Sequence, residues 1–200
     1  ARSGRPGPVV LDFAKNAQVG MVDFVPATIG VERGYIAVPE TDPKSIAEAA
    51  ALINAAERPL LLSGQGVELG NATEELRAFV EKADIPVGCT LLGLSTLPHG
   101  HRLRKGMLGM HGNLGPNTKT NECDLLIAVG MRFSDRVTGN LNTYAKQAKV
   151  VHIDIDHAEI NKNVPVDVSI VGDCKEVLPM LTALVEHGKH SEWIESFAKY

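Results

Sequence analysis

Residues 107–139 read MLGMHGNLGPNTKTNECDLLIAVGMRFSDRVTG, two glycine-marked loops joined by the apolar run Leu125–Val129. A run so short and so apolar suits a strand buried on both faces of a parallel sheet. The loop beyond it matters as much. Open α/β sheets bind nucleotide-like ligands outside the carboxyl ends of their strands. Arg132 and Arg136 stand just past this strand's carboxyl end, where guanidinium groups suit phosphate or an anionic substrate.

The rest of the chain repeats the pattern. Asp42 is placed to cap a helix that begins at Pro43, with Ile46, Ala49, Ala50 and Ile53 forming one apolar stripe. An apolar strand at 59–63 leads into Gly64-Gln65-Gly66, and Asn71 with Glu74 forms a capping pair for a helix with Leu76, Phe79, Val80 and Ala83 inward. Further strands are expected at 85–90, 124–129, 149–154 and 168–171, then a helix over 175–185 that starts late or kinks at Pro179. The alternation predicts an α/β fold: a doubly wound parallel sheet of about six strands, Rossmann-like in a three-layer αβα arrangement, with right-handed crossovers. The ends read differently. Residues 9–12 look like a short strand with no helix to cover it. Residues 19–42 lack a sustained period and are punctuated by Pro26, Gly30, Gly34 and Pro39, which suits an interdomain connection. The division expected is 1–18, the end of a preceding domain; 19–42, linker; 43–187, the main domain; and 188–200, the start of another linker.

Composition narrows the function. A hydrophobic share of 44% with only 4% aromatics fits a core of Val, Ile, Leu and Ala. The net charge of −4 argues against a nucleic-acid surface, and no run approaches the roughly 18 apolar residues of a membrane span. Cys89, Cys123 and Cys174 are odd in number and widely spaced, so neither a disulfide framework nor a zinc site is indicated, and a reduced cytoplasmic setting is expected.

Several features could carry chemistry. Gly64-Gln65-Gly66 has the strand-to-helix context of a phosphate-binding turn, and equally that of a plain tight turn. An NAD site needs an acid at the end of the next strand; here stand Cys89, Thr90 and Leu91, so that site is disfavoured. Asp154 and Asp156, two apart, could share a face and hold a ribose or adenine edge, or simply cap the segment after them. Asp173 comes just after the next strand. His152, inside an apolar strand, reads as a core residue. Met110 and His111 between Gly109 and Gly112 suggest backbone packed on a flat ligand. His99 and His101 lack a carboxylate or thiol partner and read as surface loop, so no metal site is expected. GxSxG, HExxH, P-loop and kinase signatures are absent from the sequence.

MLGMHG (107–112), DLLIAVGMRFSDRVTG (124–139), VVHIDIDHAEINKN (150–163) and Gly172-Asp173 together resemble the catalytic large subunit of acetohydroxyacid synthase, also called acetolactate synthase. SGRPGPVVLDFAK (3–15) is similar to the end of that family's first domain. The resemblance implies the middle of three α/β domains, binding FAD in a mainly structural role. The parent enzyme uses thiamine diphosphate and Mg²⁺ to decarboxylate pyruvate and join the two-carbon unit to pyruvate or 2-ketobutyrate, in branched-chain amino-acid biosynthesis. The catalytic glutamate and the metal motif belong to the first and third domains, so this piece by itself should be inert and hold flavin weakly. Matched by motif, the FAD contacts are Arg5, Gly64, Gly66, Thr90, Leu91, Leu108, Gly109, Met110, His111, Gly130, Met131, Arg132, Phe133, Asp154, Ile155, Asp173 and Cys174. In that reading the glycine turns meet the pyrophosphate and the acids meet the adenosine half. Asp135, Arg136 and Met110 match the mouth of the substrate channel. Ser134 departs from a common aspartate, and Gln65 from a common small residue. Implied partners are the remaining domains, a second copy in a dimer or tetramer, and a regulatory small subunit. Two other readings stay open: another thiamine-diphosphate carboligase or oxidase, or a nucleotide-binding structural module.

Overall fold

The computed structural model describes residues 1–26 and 38–200. They divide into two units, Ala1–Val38 and Pro39–Tyr200. In the first unit, helix α1 (Lys15–Val19) is the only regular element among the described residues, and Gln18 Nε2 donates to the Phe13 carbonyl at 2.7 Å. The strand expected at 9–12 does not form. A strand needs a neighbour to satisfy its N–H and C=O groups, and among the described residues of this unit none pairs with these exposed positions. Part of the linker expected at 19–42, residues 27–37, lies outside the described residues.

The second unit is built on β1 (Pro59–Ser63), β2 (Val87–Cys89), β3 (Arg104–Met107), β4 (Leu125–Val129), β5 (Lys149–Asp154) and β6 (Val168–Val171). They pair in the order β3-β2-β1-β4-β5-β6, every pair parallel. All six carboxyl ends therefore share one edge, and the strand order turns about between β1 and β4.

The long helices α2 (Pro43–Ala55), α4 (Thr73–Ala83) and α7 (Cys174–Leu184) cover one face. Their inward residues, such as Ile53, Phe79 and Leu181, pack on Leu61, Ile127 and Ile153 from alternate strand positions. The positions between, Leu60, Leu62, Leu126 and Ala128, face a second cluster with Phe133, Trp193 and Phe197. This opposite face is covered by shorter pieces: α5 (Leu114–Thr120), α6 (Asp135–Thr138) and the chain's last turns. A single-turn helix, α3 (Gln65–Leu69), comes directly after β1. Asp42 caps α2 as expected, its side chain accepting from Lys44 N at 3.0 Å.

Three expectations need correction. Asn71 does not cap α4: it sits at φ +51°, and Ala72 precedes the helix with no side-chain hydrogen bond. Pro179 neither delays nor ends α7, which runs through it from Cys174; the proline faces solvent, where an unsatisfied carbonyl one turn back can bond water. The tail is no extended linker. Helix α8 (Ser191–Glu195) and a 3₁₀ turn at Ser196–Lys199 bury Trp193, Ile194 and Phe197 against the domain. Trp193 Nε1 donates to the Pro59 carbonyl at 2.8 Å, and the Lys119 ammonium lies 4.7 Å from the Trp193 ring centre. Burial of each such side chain contributes roughly 1.5–3 kcal/mol. At the start of the tail, His190 N donates to Asp84 Oδ2 at 2.9 Å, while Arg102 pairs with Asp84 Oδ1 at 2.7 Å.

The three cysteines are free and buried. Burial raises all three thiols above their ordinary range, Cys123 and Cys174 to about 12. Among the described residues, no helix is long and apolar enough to cross a membrane.

Candidate functional site

The seam between β1 and β4 lies at the centre of the carboxyl edge. Gly64 N donates to the Val129 carbonyl at 3.0 Å and Gly66 N to the Gly130 carbonyl at 2.8 Å. A Cβ added at Gly66 would lie 2.6 Å from Gly130 Cα, and one at Gly64 would strike the Gly130 carbonyl and Met131. Gly130 itself stands at φ +57°. The glycines are therefore required by the approach of two backbones. The N–H groups of Gly64 and Gly66 answer carbonyls within the fold.

What the seam offers is close-set backbone, with Gln65 exposed between the two glycines. On the β2 and β3 side, Leu91, Leu92 and Met110 are exposed, an apolar lip, and His111 is exposed beside them. Thr90 N and Leu108 N tie that side together by donating to the Ser63 and Cys89 carbonyls. On the β5 and β6 side stand Asp154, Ile155 and Asp173. Asp154 Oδ1 accepts from Asp156 N at 2.9 Å; Asp156 in turn caps the turn His157–Glu159, and Asp173 caps α7 through Lys175 N. Asp156 thus does the capping that sequence left as an alternative, and Asp173 does the same for α7.

Not every expected contact faces outward. Leu108, Met131, Phe133 and Cys174 are buried, their side chains in the core beneath the edge. His152 is a core residue: its Nε2 donates to the Met131 carbonyl at 2.8 Å, and the Phe133 ring packs edge-on at 5.1 Å. Burial holds its imidazole below the ordinary value, against the Met131 carbonyl and the carboxylate of Asp154. Arg5 belongs to the N-terminal unit, where it is exposed. His101 accepts from Leu103 N and meets Glu81 at 3.0 Å, a loop contact, and among the described residues no group of three His, Cys, Asp or Glu side chains could hold a metal.

Arg132, Asp135 and Arg136 are exposed on the β4-end loop. The Asp135 carboxylate accepts from Arg136 N at 3.0 Å, and Arg136 Nη1 approaches Met110 Sδ at 3.3 Å. Met110 N donates to the Arg136 carbonyl at 2.9 Å, so the β3-end and β4-end loops meet. Beside them is an open hollow of about 340 Å³, bounded by Arg132, Asp135, Thr138, Glu159, Lys162 and Asn163. Sequence reasoning missed its far wall, and also missed Asn117, which bonds Gly109. The repeated Asn113 and Asn117 beside a glycine-rich loop were the available signal.

The chain belongs to the family described as thiamine pyrophosphate enzyme, central domain, whose pattern it matches over residues 46–181. Within curated proteins it is similar to the probable acetolactate synthase large subunit of Methanocaldococcus jannaschii, 46% identical over 98% of this chain and 34% of that protein. It is also similar to the acetolactate synthase large subunit of Corynebacterium glutamicum, 45% identical over 98% of this chain and 32% of the relative. The acetolactate synthase isozyme 1 large subunit of Escherichia coli K12 is 42% identical over 96% of this chain and 34% of its own length. The chain spans about a third of the length of these relatives.

Proposed function

We propose that the full polypeptide containing this chain is an acetolactate synthase large subunit, and that residues 39–200 form its flavin-holding central domain. The carrying observation is the identity of 42–46% to relatives of that name, spread over nearly the whole chain. The remaining domains bind thiamine diphosphate and Mg²⁺, which supply the electron sink that lets a 2-keto acid lose CO₂. A regulatory small subunit, a dimer or larger assembly and a cytoplasmic setting belong to the same reading.

The residues of this chain suit FAD in a structural role. The close backbones at Gly64, Gly66 and Gly130 support it, with an apolar lip for an isoalloxazine on one side and acids for an adenosine on the other. The glycine N–H groups would take no part in holding the pyrophosphate. Arg136, exposed at the rim beside Met110, attracts the carboxylate of an incoming keto acid. Nothing in the matched motifs of this chain handles the bond-breaking step.

The test is direct. The purified full-length polypeptide, given thiamine diphosphate, Mg²⁺ and pyruvate, is expected to release acetolactate and to carry bound flavin absorbance. A folded, cofactor-loaded preparation that makes no acetolactate would overturn the assignment.

A further inference from the structure

Gly109 stands at φ +102°, a backbone region that glycine alone enters freely. Its N–H donates to Asn117 Oδ1 at 2.8 Å, and its carbonyl accepts from Asn117 Nδ2 at 2.9 Å. One amide side chain thus closes both polar groups of one glycine, as a neighbouring strand would. The partners settle which amide atom is which, because a backbone N–H needs an acceptor and a carbonyl needs a donor. Asn117 is half-buried on α5, and the start of that helix is tied to the same loop. Asn113 N donates to the Met107 carbonyl at 2.7 Å, and Asn113 Oδ1 accepts from Met107 N at 2.9 Å.

The next residue along carries the consequence. Met110 N–H bonds the Arg136 carbonyl at 2.9 Å, and a Cβ on Gly109 would lie 2.7 Å from that same oxygen. The orientation of the Gly109–Met110 peptide therefore decides whether the two loops join. Glycine leaves that peptide free to rotate; the Asn117 amide restrains it from both sides, with Gly112 N, which donates to the same Gly109 carbonyl at 2.9 Å, as the one backbone support.

We infer that Asn117 is a positioning residue: acting through Gly109, it holds Met110 against Arg136 so that the guanidinium keeps a fixed place at the rim. The inference rests on the reading of Arg136 as the guide for a keto acid. It is tested in the full-length polypeptide by Asn117→Ala and Asn117→Asp, with hydrogen exchange across residues 107–113 and pyruvate kinetics read side by side.

Loss of both bonds in Asn117→Ala is expected to speed exchange at Gly109 and Met110 roughly ten- to thirty-fold. KM for pyruvate should rise about as much, with kcat held within about threefold, the signature of lost positioning before chemistry. Asn117→Asp keeps the acceptor and loses the donor, so Gly109 should stay protected while Met110 does not, and this variant decides the matter if the alanine variant does not fold. Unchanged exchange at Met110 in a folded variant overturns the inference, as does activity that falls only with the folded fraction at constant KM. If the unaltered polypeptide makes no acetolactate, the proposed function fails, while the exchange readout still decides the role of Asn117.

Discussion

Two loop-to-loop seams cross the carboxyl edge of the sheet, and they are secured in different ways. At the first, Gly64 and Gly66 meet Val129 and Gly130 entirely through backbone, N–H to carbonyl. At the second, Gly109 and Met110 meet Arg136, but the glycine is gripped by the side chain of Asn117. The first seam joins neighbouring strands β1 and β4 in the middle of the sheet; the second links the loop after edge strand β3 to the turn after β4. A backbone seam has few tunable parts and fixes the fold. A seam that leans on one side-chain amide beside its backbone bonds can be loosened by one substitution, which suits a rim that must keep its shape for a ligand.

The largest effect should come from the first seam. Gly66→Ala places a methyl carbon 2.6 Å from Gly130 Cα, a backbone atom that cannot swing aside. Destabilisation of about 3 kcal/mol or more is expected. Urea unfolding measures it, and a loss below about 1 kcal/mol would show that the two backbones are not in contact.

Gly109→Ala should do less damage to the whole and more to its own loop. The residue sits in a left-handed region and its methyl would face the Arg136 carbonyl at 2.7 Å, yet the loop lies at the rim. A cost of about 2 kcal/mol is expected, with chemical-shift changes confined to residues 107–113 and 132–138. Changes spreading to Gly66 would erase the distinction between the seams.

The smallest effect is a control on both. Neither seam depends on a titrating group, whereas the tail does. Burial pushes the Asp84 carboxyl up, but the His190 N–H and the Arg102 guanidinium outweigh it and hold it below the ordinary carboxylate range. A depressed folded-state value stabilises above the unfolded value, near 4, and that contribution is lost as pH falls through the lower folded value. Acidification below pH about 4 should therefore loosen the tail first. Fluorescence of Trp193, the only tryptophan, reads that loosening, while Gly66 and Met110 amides stay protected. Simultaneous loss at all three would contradict it.

Much of this fold was legible. The apolar runs at 59–63, 125–129 and 149–154 announced central strands, because both of their faces are covered and nearly every position must be apolar. Edge strand β3 was not legible: Arg104, Lys105 and Gly106 are half-buried, and an edge tolerates charges that a central strand rejects. The tail hid for a different reason. Trp193, Ile194 and Phe197 do carry helical spacing, but in so short a stretch that only the partners at Pro59 and Lys119 give it meaning. At the edge, the motifs marked the loops after β1, β4 and β5, which the fold does gather along one side of the sheet. They could not say that Met131 and Phe133 turn inward, or that the glycine N–H groups have internal partners, since both depend on the distance between strands far apart in sequence.

The buried thiols give the molecule a built-in gauge of its own opening. Cys89 ends β2, Cys123 precedes β4, and Cys174 begins α7. A thiol that is both covered and reluctant to ionise reacts with an alkylating reagent only while its surroundings are parted. The order in which the three become modified would therefore chart which part of the sheet breathes first, without any label being added.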